Sequence, residues 1–111
     1  MSYTLISSVA QYKQVIQAQP AVAVYFKGSS CSVCTALLPK LEVMLTDDFP
    51  QILLTVVDCE ALPDLASQNT ILTVPALLVY LDGKVFLREV RHISLEQLRH
   101  DLRRPYELFF S

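Results

Sequence analysis

The chain contains no tryptophan, two glycines and three cysteines in 111 residues. Those two, Gly28 and Gly83, lie far apart, so no G-x-S-x-G elbow or glycine-rich phosphate cradle is present, and hydrolase and nucleotide-binding readings of those kinds drop out. No basic run is longer than Arg103-Arg104, and the formal net charge is −2 with a pI near 5.5, so there is no electrostatic footprint for nucleic acid or an anionic membrane. No apolar run reaches the ~18 residues needed to cross a bilayer. The start, MSYTLISSVAQYK, lacks the basic head and long apolar stretch of a secretion signal, and a cytoplasmic location is expected. Three cysteines do not make a disulfide framework; in a reducing compartment a close pair is more often catalytic or metal-binding. Charge is sparse at 18%, and mean hydropathy is +0.38, which leaves apolar surface for a partner or for self-association.

Hydrophobic residues make up 52% of the chain, enough to build one core without staples, and no repeat, linker or low-complexity segment divides it. A single domain over 1–111 is expected, with 106–111 as a C-terminal tail. Tyr3 to Ile6 reads as a strand, and Ser8 with Gln11 forms a capping box for a helix to about Ala18. AVAVYF, 21–26, is a continuous β-prone run of the kind buried on both faces of a parallel sheet. From Cys31 to about Thr46 the apolar spacing is helical, with Pro39 expected to bend it. QILLTVVD reads as a strand and ALPDLASQ as a short helix. ALLVYL and VFLREV flank Asp82-Gly83, a strong hairpin signal. Ser94 and Gln97 cap a last helix expected to stop before Pro105. The order βαβαβαββα predicts an α/β fold, a central mixed sheet flanked by helices on both faces.

Chemistry concentrates in SSCSVCTALLPK, 29–40. Cys31 falls where a buried strand turns into a helix, and the free N–H groups and dipole there, worth about 0.3–2 kcal/mol, favour a thiolate. Lys27 is a second candidate for stabilising it. Cys34 lies one turn further on the same face, within reach of a disulfide. A Cys31 thiolate attacking a partner's disulfide would form a mixed disulfide that Cys34 resolves. Two alternatives stay open: a pair of ordinary core cysteines, or metal held by two chains, since one chain offers only two close ligands. Thr73-Val74-Pro75 opens the hairpin's first strand; a cis bond there would present the preceding backbone as an edge for strand addition.

Over nearly its whole length the sequence resembles the thioredoxin family. The strand AVAVYF leads to CSVC, Pro39 follows five residues after the second cysteine, TVPALLVYLDGK is similar to the family's cis-proline strand and hairpin, and ISLEQLRHDL matches the closing helix. The resemblance implies a thioredoxin-like fold, Cys31 as nucleophile, Cys34 as resolving thiol, and substrate contacts at Thr73, Val74 and Pro75. It implies no cofactor and no metal; the partners are a protein disulfide or dithiol and a reductase or other redox partner. Several positions depart from the family. Ser32-Val33 stands where Gly-Pro is common, Tyr25 where a buried acid lies, and Val56 where its neighbouring lysine lies. Lys27 and Ser30 replace tryptophans, and Arg91 replaces a glycine beside the groove. These departures point to a specialised member, with Arg91 narrowing the groove or selecting acidic partners and Tyr25 leaving the Cys34 proton without an acceptor.

Cys59 reads as a small, partly buried residue, and His92 and His100 as surface residues. The tail PYELFFS either packs back onto the domain or serves self-association. The sequence therefore points to a thiol–disulfide oxidoreductase acting on a protein partner. The alternative is a thioredoxin-fold binding or scaffold module in which the cysteines contribute little.

Overall fold

A computed structural model describes residues 3–111. Its elements are β1 (Tyr3–Leu5), α1 (Val9–Ala18), β2 (Ala21–Lys27), α2 (Ser32–Asp48), β3 (Leu53–Asp58), α3 (Pro63–Gln68), β4 (Ala76–Leu81), β5 (Lys84–Val90) and α4 (Leu95–Phe109). The five strands form one sheet in the order β1-β3-β2-β4-β5. β2 runs parallel to β3 and antiparallel to β4, so the sheet is mixed and β2 is its centre.

Alternation along β2 builds two cores. Ala21, Ala23 and Tyr25 face a layer with Leu41, Met44 and Leu45 of α2 and Leu98 and Leu102 of α4. Val22, Val24 and Phe26 face the opposite layer with Tyr12 and Ile16 of α1 and Leu65 and Ala66 of α3. Successive strand side chains point to opposite faces, so a run apolar at every position needs helices on both sides. In the second layer the Tyr12 and Tyr80 hydroxyls hydrogen-bond to each other and face Asn69.

The caps follow the sequence closely. The Ser8 hydroxyl accepts the Gln11 N–H at the head of α1, and the Ser94 hydroxyl accepts that of Gln97 at the head of α4. Asp82 and Gly83 have φ of 53° and 78°, the positive pair that a tight hairpin needs. The short helix starts at Pro63, two residues after its expected start at Ala61, because Pro fits the first turn and Leu62 takes the cap position.

One boundary differs more. α4 does not stop before Pro105 but continues through it to Phe109. A proline inside a helix costs about 3 kcal/mol. Tyr106 offsets this: its ring packs edge-on against Phe49 at 5.1 Å, and its hydroxyl accepts the Gln51 N–H at 3.0 Å. Phe110 packs on Tyr106 at 4.9 Å. Tyr106 and Phe110 thus join the first core, while Leu108 and Phe109 stay exposed. Among the described residues no helix is long and apolar enough to cross a membrane.

Candidate active site

The polypeptide leaves the buried centre of the sheet at Lys27 and turns through Gly28, Ser29 and Ser30 into α2. Cys31 caps that helix, its sulfur accepting the Cys34 N–H at 3.1 Å. Its carbonyl takes the Thr35 N–H and hydroxyl, both at 3.1 Å. Cys31 and Cys34 are joined as a disulfide with their Cα atoms 5.2 Å apart. Cys31 is half-buried and Cys34 fully buried, so a partner can approach only the first sulfur. Ser32 and Val33 between them are exposed.

Tyr25 lies beneath the pair. It is 0% exposed, sits opposite Val56 in the sheet, and its hydroxyl donates to the Cys34 carbonyl at 2.9 Å. Burial pushes the phenol up to about 12. At neutral pH it is an uncharged donor and has no capacity to accept the Cys34 proton. Among the described residues no carboxylate or imidazole bonds to Cys34.

Lys27 directs its ammonium at Asp58, 3.6 Å away, instead of at Cys31. Asp58 also accepts the Ser29 hydroxyl at 2.9 Å and the N–H groups of Glu60 and Ala61. Burial alone would raise the Asp58 carboxyl, but those hydrogen bonds together with Lys27 outweigh it and hold it below the ordinary range. Glu60 accepts the Ser29 N–H at 3.1 Å. A Cβ placed on Gly28 would lie 3.4 Å from Val74, 3.7 Å from Cys31 and 3.7 Å from a Glu60 carboxylate oxygen, which shows how closely the three converge. Ser29 belongs to the motif that the sequence singles out, whereas Asp58 and Glu60 reach the site only through the fold. The signal was the acidic pair at the end of β3, Asp58 and Glu60, beside the turn that follows β2.

On the other flank the Val74–Pro75 peptide is cis. Pro75 joins Val33, Leu37, Arg91, His92, Ile93 and Ser94 around a groove of about 320 Å³. Thr73 and Val74 are half-buried and do not line it. Arg91 donates its backbone N–H to Pro75 at 2.8 Å and is held at φ 70°. A side chain in this left-handed region costs roughly 1–3 kcal/mol. Arg91→Gly is therefore expected to raise the urea midpoint by up to about 1 kcal/mol equivalent, since glycine's greater unfolded-state freedom returns part of the gain. A lower midpoint would show that the arginine side chain makes a compensating contact.

Cys59 is the free cysteine, half-buried, its N–H bonded to Lys27. Burial, then the charges of Asp58 and Glu60, raise its thiol, with Lys27 acting in the opposite sense. In the reduced protein at pH 7, iodoacetamide is expected to label Cys31 at least about tenfold faster than Cys59. Peptide mapping of the labelled chain checks this. Among the described residues no group of three or more His, Cys, Asp or Glu is placed to hold a metal ion.

The Thioredoxin family model matches residues 3–104. Thioredoxin-like protein YdfQ of Bacillus subtilis (strain 168) is 35% identical over 106 residues, covering 96% of this chain and 94% of that protein. Thioredoxin C-2 of Corynebacterium nephridii is 30% identical over 92 residues, covering 81% and 85%. Thioredoxin from Trypanosoma brucei brucei superposes with a TM-score of 0.85 at 21% identity, covering 96% and 92% of the two chains, a likeness of fold. With its cysteines bonded at the head of the helix that leaves the central strand, and with a family match running almost end to end, the chain belongs to the thioredoxin family of thiol–disulfide oxidoreductases.

Proposed function

We propose that the chain exchanges disulfides with a particular protein partner, with Cys31 as nucleophile and Cys34 as resolving thiol. The observation that carries this reading is the asymmetry of the pair: one sulfur reachable at a helix head, the other buried behind it. In the reducing direction the Cys31 thiolate attacks one sulfur of the partner's disulfide, forming the mixed S–S bond and releasing the other partner sulfur as a thiolate, which takes a proton. Cys34 then loses its proton and attacks Cys31, and the second partner thiolate leaves. Two electrons pass to the partner, and the chain is left as the Cys31–Cys34 disulfide. A reductase or other dithiol donor restores it, in a reducing compartment such as the cytoplasm.

Thr73, Val74 and Pro75 supply the edge along which the partner's backbone lies, and Val33 and Arg91 shape its side. Specialisation is supported by Tyr25 in place of an acid, by Arg91 at a strained backbone position, and by the polar Lys27 and Ser30 turn. The test is covalent capture: Cys34→Ser should retain the partner through a bond that dithiothreitol breaks. Retention of the same partner by a variant lacking both cysteines, under reducing conditions, would favour a binding or scaffold module.

A further inference from the structure

The reactive sulfur stands between exposed charges of opposite sign. At the sheet edge from which Cys31 emerges, Lys27 pairs with Asp58, Phe26 with Ala76, and Ala76 with Val90. The sequence across that edge is therefore β3, β2, β4, β5, three strand spacings or roughly 14 Å. Glu60 follows β3 at one end, and Arg91 follows β5 at the other; both are exposed. Glu60 takes only the Ser29 N–H, and Arg91 has no carboxylate partner, among the described residues. On the acidic flank Lys27 neutralises Asp58, so Glu60 leaves a net negative charge; Arg91, beside His92, leaves a positive one on the groove side.

Resting on the dithiol reading above, we infer that the site selects an extended partner segment whose reactive cysteine is flanked by an acidic side chain on the Arg91 side and a basic one on the Glu60 side. An extended chain advances roughly 3.3 Å per residue, so about four residues span the strand ends that carry Glu60 and Arg91, and the Glu60 carboxylate, turned back onto the Ser29 N–H, lies inside that span. Side chains at i−2, i and i+2 of such a segment share one face. The cysteine and both charged neighbours thus meet the protein together. The strained backbone of Arg91 fits this role, since such strain persists where the surrounding structure holds a functional side chain in place.

The test uses the full-length reduced protein and three short peptides, each a mixed disulfide with a neutral thiol: Asp-Ala-Cys-Ala-Lys, Lys-Ala-Cys-Ala-Asp and Ala-Ala-Cys-Ala-Ala. The first two have equal net charge, so general attraction cancels. At low ionic strength their second-order rate constants should differ about fivefold, from two exposed pairs that attract in one order and repel in the other. The ratio should fall towards one at about 1 M salt, where the Debye length is ~3 Å. In the double variant Arg91→Glu with Glu60→Arg the preference should invert. Equal rates at low salt, or a preference that survives the double reversal, overturns the inference while the dithiol reading stands. Failure of all three peptides, the uncharged one included, overturns the dithiol reading and this one with it.

Discussion

Cys34→Ser should turn a transient encounter into a covalent complex that lasts for hours. In the native chain the second sulfur is already within bonding distance of the first, with 5.2 Å between Cα atoms, and such an intramolecular thiol acts at a very high effective concentration. Serine removes it, and the mixed disulfide must wait for a thiol from solution, an uncatalysed rearrangement of minutes to hours. At millimolar external thiol the loss in release rate is at least about a thousandfold, since an effective concentration of only about 1 M, far below those of well-oriented intramolecular reactions, already gives that ratio. Non-reducing electrophoresis and intact-mass measurement read the adduct directly. Cys31→Ser should give none. An adduct that decays as fast with Cys34→Ser as with the native chain would show that Cys34 does not resolve.

The resolution step should depend steeply on pH. A buried thiol with no base beside it is protonated at pH 7, and an adjacent base would relieve that dependence. Tyr25 holds the place beneath Cys34, donates its own proton to the Cys34 carbonyl, and stays neutral until about pH 12. Release of a partner from a preformed mixed disulfide should therefore accelerate about tenfold per unit between pH 6 and 8, following the thiolate fraction. Stopped-flow fluorescence of a labelled partner measures it. A flat profile with rapid release at pH 7 would mean that another group takes the proton. The same phenol gives an alkaline limit of opposite sense. Its folded value is raised, so the stability it lends is complete below pH 10 and is lost as the pH climbs through about 12.

Much of this was legible in the sequence because several levels agreed. AVAVYF is apolar at every position, which only a strand covered on both faces tolerates, and the two cores confirm it. Asp82-Gly83 fixed the hairpin through its need for positive φ. The serine caps of α1 and α4 lie where their glutamines indicated. What escaped was set by tertiary contact. Pro105 reads as a stop, yet Tyr106 and Phe110 find seats on the core, and their packing outweighs a local preference. The positive φ of Thr70 and Arg91 has no signal in residue type, since neither is glycine or asparagine. Glu60 is 29 residues from Cys31 in sequence, and only the pairing of β2 with β3 brings it to the redox turn.

The redox turn is mounted on β2, which is bonded to a neighbour on each side and buried from Ala21 to Phe26. Amides in such a segment exchange deuterium only when the whole molecule opens, whereas loops and end turns exchange through small local fluctuations. Making and breaking one S–S bond per cycle therefore rearranges atoms on a rim carried by the slowest-exchanging part of the chain. The frame can pass through many oxidation cycles without being re-formed.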